Sequence, residues 1–150
     1  MFKRIGSSML LATLLACMTA AVDAKDLTSA SLEKWLASYG AAWEARDGAA
    51  AARIFTPEAR YHEMPFDEPK KGRAGIQEYW SKVTADQRDV KFESKVIAVN
   101  GNTGAAHWTA KFRVESSGAT VELDGVFVLE FDSAGLCSTL REWWHVRGAS

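Results

Sequence analysis

Residues 105–146 read AAHWTAKFRVESSGATVELDGVFVLEFDSAGLCSTLREWWHV, and their alternation decides the fold. Ala106, Trp108, Ala110, Phe112 and Val114 alternate with His107, Thr109, Lys111 and Arg113. Val121, Leu123, Gly125, Phe127, Leu129 and Phe131 alternate with Glu122, Asp124 and Glu130. A period of two is the mark of a strand with one buried face, so the apolar set of each strand points inward. Ser116-Ser117-Gly118 and Asp132-Ser133-Ala134-Gly135 break the runs as hairpin turns, predicting strands over Ala105–Glu115, Thr120–Phe131 and Leu136–Val146. Upstream, Val90–Val99 alternates as well and ends at Asn100-Gly101-Asn102, which completes a four-stranded antiparallel meander. In the last strand Leu140, Glu142 and Trp144 share a face opposite Arg141, Trp143 and His145, and Leu140 with Val146 sets the Glu142 face inward.

Before residue 90 the period is helical. Leu32, Trp35, Leu36, Tyr39 and Trp43 form one stripe, with Thr28 and Ser29 as caps and Gly48 as the stop. Gly40 within it predicts a close approach by another backbone. Ala49–Phe55 reads as a short second helix stopped by Thr56-Pro57. A short strand is expected at Ala59–Glu63, and Ile76, Tyr79, Trp80 and Val83 mark a third helix from about Arg73. Helices followed by strands is α+β order in one domain.

The chain of 150 residues is 47% hydrophobic and 25% charged with a formal net charge of −1, which fits a globular protein and gives no basic field for nucleic acid. Lys3-Arg4, an uncharged apolar run over residues 5–22 and the small-residue site Val22-Asp23-Ala24 have the anatomy of a signal peptide, so residues 1–24 are expected to be removed and 25–150 to be a secreted or periplasmic domain. Leu14-Leu15-Ala16-Cys17 offers an alternative, a lipobox whose Cys17 anchors the chain through lipid; a membrane span is the weaker reading. Cleavage at Ala24 leaves Cys137 as the one thiol, a small buried hydrophobe. His62, His107 and His145 show no metal-ligand spacing, and no phosphate loop or nucleophile elbow is present, so no metal or cofactor is expected.

Several segments together resemble the nuclear transport factor 2-like superfamily, which includes ketosteroid isomerases, scytalone dehydratases and SnoaL-like polyketide cyclases. They are Leu36-Ala37-Ser38-Tyr39, Ala42-Trp43-Glu44-Ala45-Arg46-Asp47-Gly48, Ile54-Phe55-Thr56-Pro57-Glu58-Ala59, Gly72-Arg73 with Ile76 and Tyr79-Trp80, Phe131 to Gly135, and Arg141-Glu142-Trp143-Trp144-His145. The resemblance runs from about Leu32 to Val146. It implies three N-terminal helices on a curved antiparallel sheet of four or more strands, a cone with an apolar pocket for a small organic ligand. The pocket is expected to be lined by Tyr39, Trp43, Tyr79, Trp80, Trp108, Phe127 and Trp144, with Tyr61 and Phe66.

Laid along the isomerase pattern from Tyr39, Glu63 falls on the general base, Tyr39 on the oxyanion-stabilising tyrosine and Phe127 on the second donor, which a phenyl ring cannot replace. Glu142 is the second acid of the inward face and His62 an assisting proton relay; Glu142 should be neutral, hydrogen-bonded to a ligand, or paired with Arg73, Arg113 or Arg141. Three functions stay open: a binding pocket, which the missing donor favours; a cofactor-independent isomerase, dehydratase or cyclase; and a module that dimerises through the outer sheet face at Trp143, His145 and Arg147.

Overall fold

The computed structural model describes residues 26–147; the expected signal peptide and the Cys17 alternative lie outside them. No described helix is long and apolar enough to cross a membrane.

Helix α1 (Ser29–Ala45) forms where the apolar stripe predicts it. Its start is a capping box: Thr28 Oγ1 accepts from the Ser31 backbone N–H at 3.1 Å while Ser31 Oγ accepts from the Thr28 N–H at 2.9 Å. The helix stops before Gly48, because Arg46 takes a left-handed conformation (φ 55°) whose N–H closes on the last carbonyls. Gly48 instead opens helix α2 (Gly48–Arg53), capped by the Asp47 carboxylate. The partner at Gly40 is a side chain rather than a backbone: a Cβ there would lie 2.5 Å from the Phe92 ring.

The second helix is shorter than its sequence suggests, since Phe55 belongs to strand β1 (Phe55–His62). Pro57 sits inside that strand, between the paired positions Phe55 and Arg60 where the ladder is interrupted, so its missing N–H leaves no bond unmade. Strand β2 (Lys70–Lys71) and helix α3 (Gly72–Val83) follow. The meander is β3 (Gln87–Asn100), β4 (Thr103–Val114), β5 (Thr120–Phe131) and β6 (Cys137–Arg147).

The six strands make one sheet in the order β2-β1-β6-β5-β4-β3. Every neighbouring pair is antiparallel except β1 with β6, which run parallel with Tyr61 opposite Leu140. Register shifts in β3, at Arg88/Lys91 and Val96/Ala98, bend the sheet around the helices, and Asp89 (φ 56°) takes the strained position of the first. The inward residues of β4 and β5 are those the alternation marks. Between helices and sheet, one end is solid: Trp35 packs edge-on to Phe55 and Phe131, over Leu32, Leu129, Cys137 and Leu140. The other end holds a cavity.

Candidate functional site

The cavity has a volume of about 260 Å³. Helix α1 supplies Tyr39 and Trp43, one turn apart on its buried stripe; α3 supplies Tyr79, Trp80 and Val83. The sheet supplies Tyr61, Gln87, Trp108, Phe112, Val121, Leu123, Glu142, Trp144 and Val146, with Glu63 just past the end of β1. The aromatic walls brace one another: the Tyr39 ring meets Trp80 edge-on at 5.2 Å and Phe127 at 5.2 Å, and Trp43 meets Trp80 at 5.3 Å. Such mutual contacts hold a pocket open rather than letting it collapse.

Glu142 is the buried acid of this cavity, 6% exposed. Tyr61 donates its hydroxyl proton to Glu142 Oε1 at 2.9 Å, and the Tyr39 and Tyr61 hydroxyls lie 3.0 Å apart. A phenol has one proton to give, so with Tyr61 committed to Glu142 the bond between the tyrosines runs from Tyr39 to Tyr61. The result is a directed chain, Tyr39 to Tyr61 to Glu142. Among the described residues no arginine reaches the acid, contrary to one expectation from sequence: Arg141 pairs with Glu130 at 2.8 Å, Arg113 with Asp89 at 3.4 Å, and Arg73 Nε donates to the Phe55 carbonyl at 2.9 Å. Burial pushes the Glu142 carboxyl up to about 8, against the lowering effect of the Tyr61 bond and with a further push from Glu63. The carboxyl is protonated at neutral pH, and its Oε2 has no hydrogen-bond partner among the described residues. Burial, and then Glu142, also hold the Tyr39 and Tyr61 phenols well above their ordinary range, so both remain neutral donors.

Glu63 lines the same cavity beside Tyr79 and pairs with Lys70 Nζ at 3.6 Å. The same ammonium lies 5.2 Å over the Tyr79 ring, so β2 fastens one wall of the cavity through a single lysine.

The structure thus gathers Tyr39, Trp43, Tyr61, Glu63, Tyr79, Trp80, Trp108, Glu142 and Trp144 around one space. Three sequence-derived candidates are not on its wall. Phe66 is 99% exposed, on the loop between β1 and β2, where it has nothing to pack against. His62 turns away from the cavity because it alternates with Tyr61 and Glu63; its burial, with Arg141 and Arg60 nearby, lowers its pKa. Phe127 is sealed behind the wall, stacked on Trp108 at 5.1 Å. Sequence reasoning passed over Gln87, which is 7% exposed and accepts a hydrogen bond from Trp43 Nε1 through Oε1 at 2.7 Å. Its place at the first residue of a strand carries no signal of its own; only the fold brings Trp43 to it.

Other features carry less chemistry. A larger depression of about 650 Å³ lies on the outer sheet face, where Lys111 and Arg147 both hold Glu122, at 3.0 and 3.1 Å. Trp143, 49% exposed, projects from that face as its alternation predicts. Cys137 is buried, which pushes its thiol up and keeps it protonated. No cluster of three or more His, Cys, Asp or Glu side chains able to hold a metal occurs among the described residues.

A family profile described as SnoaL-like domain matches residues 35–138. Among solved structures, SalBIII, an epoxide hydrolase/cyclase-like enzyme with a role in pyran ring formation in the polyether salinomycin, aligns with a TM-score of 0.65 at 20% identity, over 75% of this chain and 89% of its own. RV0760c from Mycobacterium tuberculosis aligns with a TM-score of 0.68 at 14% identity, over 81% of this chain and 99% of its own. A computationally designed 17-OHP binder aligns with a TM-score of 0.66 at 19% identity, over 77% and 96%. At these identities the likeness is one of fold, and a fold hosts many functions. No curated protein matches the sequence significantly. With the helices, the curved sheet and the profile match in agreement, the chain belongs to the SnoaL-like domain family of the nuclear transport factor 2-like superfamily.

Proposed function

We propose that this protein binds a small, largely apolar organic molecule bearing an oxygen function, and that Glu142 donates the hydrogen bond that orients it. The observation that carries this reading is the state of Glu142: a buried carboxyl at an aromatic cavity, one oxygen held by Tyr61 and the other unpartnered. The aromatic walls take the apolar body by area burial, and the acid selects a carbonyl, hydroxyl or ether oxygen. The basic start, apolar run and small-residue site of residues 1–24 support export of this binding domain.

The test uses 4-isopropenylacetophenone, a ketone of suitable size, with tryptophan fluorescence as readout. A carboxylate cannot donate, so affinity should fall about tenfold between pH 6 and pH 9, as Glu142 ionises around 8. Glu142→Gln keeps a donor at every pH and should abolish that fall. An equal fall in both proteins would remove Glu142 from the site.

A second reading is favoured by one observation. Two carboxyls line the same cavity in unlike settings, Glu63 beside Lys70 and Glu142 beside the tyrosines. Groups so divided can serve as base and acid in one proton transfer. Glu63 would take a proton from the carbon next to a carbonyl while Glu142 gives one to the carbonyl oxygen, forming an enol; return of the Glu63 proton to a different carbon of the conjugated enol, as Glu142 takes back the hydroxyl proton, completes an isomerisation. In D₂O the protein should accelerate deuterium exchange at the acetyl methyl of the same ketone. Glu63→Gln should remove the acceleration and leave affinity within about twofold. An unaccelerated exchange in the unmodified protein leaves binding alone.

A further inference from the structure

The cavity wall contains a second polar group whose hydrogen bonds are not complete. Gln87 is 7% exposed, lies at the start of β3 and faces the cavity. Its side-chain oxygen accepts from Trp43 Nε1 at 2.7 Å. An indole nitrogen can only donate, so the amide cannot be turned the other way: the oxygen must face Trp43, and the NH₂ group must face elsewhere. That NH₂ finds no acceptor among the described residues. It is not sealed in protein either, in contrast to the indole nitrogens of Trp80 and Trp108, which are enclosed without partners. A buried amide with two unused donors beside an apolar space is costly unless something completes it.

Gln87 and Glu142 do not share one spot. Glu142 is reached through Tyr39 and Tyr61, and Gln87 is fixed by Trp43. Tyr39 and Trp43 are one turn apart on α1, roughly 6 Å along its axis. Along the sheet the two are also displaced: Gln87 stands opposite Val114, near the end of β4, while Glu142 stands opposite Phe127. Between them the wall is aromatic and apolar, from Trp43, Trp80, Trp108 and Trp144.

We infer that Gln87 is a specificity-determining residue, its amide NH₂ donating to a second oxygen of the ligand, so that the cavity selects apolar molecules carrying two separated hydrogen-bond acceptors. This rests on the reading of the cavity as a ligand site and adds the class of ligand to it. Molecules with one acceptor leave the Gln87 donor bare and bind more weakly; purely apolar ones leave both polar groups bare.

The experiment compares two ligands of nearly equal shape at pH 6, 1,4-diacetylbenzene and 4-isopropenylacetophenone. The second replaces one C=O by C=CH₂ and so lacks one acceptor. The unmodified protein should bind the diketone about tenfold more tightly, the worth of one completed hydrogen bond. Gln87→Met should erase this preference, so that the two ligands bind the variant within about twofold of each other. Equal affinities in the unmodified protein, or a preference that survives in Gln87→Met, would overturn the role of Gln87 and leave the binding reading intact. If Gln87→Met does not fold, Gln87→Leu, which also lacks the amide donor, takes its place in the same comparison. Absence of binding by either ligand would overturn the binding reading, and this inference with it.

Discussion

Replacing Glu142 by glutamine is expected to stabilise the folded chain at pH 8, on the order of 4 kcal/mol. The reason is linkage. The carboxyl titrates near 4.5 when freely solvated and is pushed up to about 8 in the folded protein, chiefly by burial. Its raised value means that the folded state holds the proton more tightly than the unfolded state. The stability this contributes is fully present below about pH 4.5, falls as pH rises, and is lost by the time pH passes about 8. Glutamine has the same shape, still accepts from Tyr61, and never ionises. Urea titrations should therefore show stability falling from pH 5 to pH 8 in the unmodified protein, with much of that slope absent in Glu142→Gln. A variant less stable than the unmodified protein at pH 8 would mean that Glu142 is held as a well-solvated or paired carboxylate. A side chain that lowers stability at neutral pH, at the wall of an apolar cavity, is what a functional site looks like in energetic terms.

Trp108→Ala is expected to cost about 3–5 kcal/mol, with no compensating collapse. Trp108 is 1% exposed and packs into a cluster of rings: it stacks on Phe127 at 5.1 Å and Phe92 at 6.2 Å, and meets Trp43 at 5.9 Å. Its ring lies across Gly125 on β5, where a Cβ would fall 2.7 Å from Cε2 and Cζ2 and 2.7 Å from the Trp143 carbonyl. The missing side chain at 125 is thus the seat of the ring, and removing the ring leaves a hole bounded by backbone that cannot close. Part of the loss is offset because the Trp108 indole N–H has no acceptor, so the lower end of the range is expected. Thermal and urea unfolding would measure it; a loss under about 1 kcal/mol would show that the ring is not packed as described. Because Trp108 also lines the cavity, the variant should lose discrimination among ligands by shape.

Much of this was legible in the sequence, for a definite reason. Burial of one face imposes a period of two on a strand and 3.6 on a helix, so the meander from Val90 to Val146 and the stripe from Leu32 to Trp43 could be read residue by residue. The same alternation put Trp108 and Glu142 on the inner face and Trp143 on the outer. Local signals failed where a distant partner overrode them. Phe55 left the predicted helix because Cys137 offers it a strand to pair with, and Gly48 lost its role as helix stop to Arg46. Phe66, an apolar residue near an expected pocket, proved to stand in solvent.

The sequence by itself determined the α+β order and the inward faces of the strands, Glu142 among them. The tertiary structure alone decided what surrounds that acid. Strand β1 runs beside β6 in parallel, joining segments about eighty residues apart, and that pairing brings the Tyr61 hydroxyl to Glu142 across a separation of 81 residues. Trp43 reaches Gln87 across 44 residues in the same way. Hydrogen bonds of this kind depend on angstrom-scale placement by elements that carry no periodic mark of one another, so no local pattern records them. The site is therefore written in contacts between strands and helices that only folding creates.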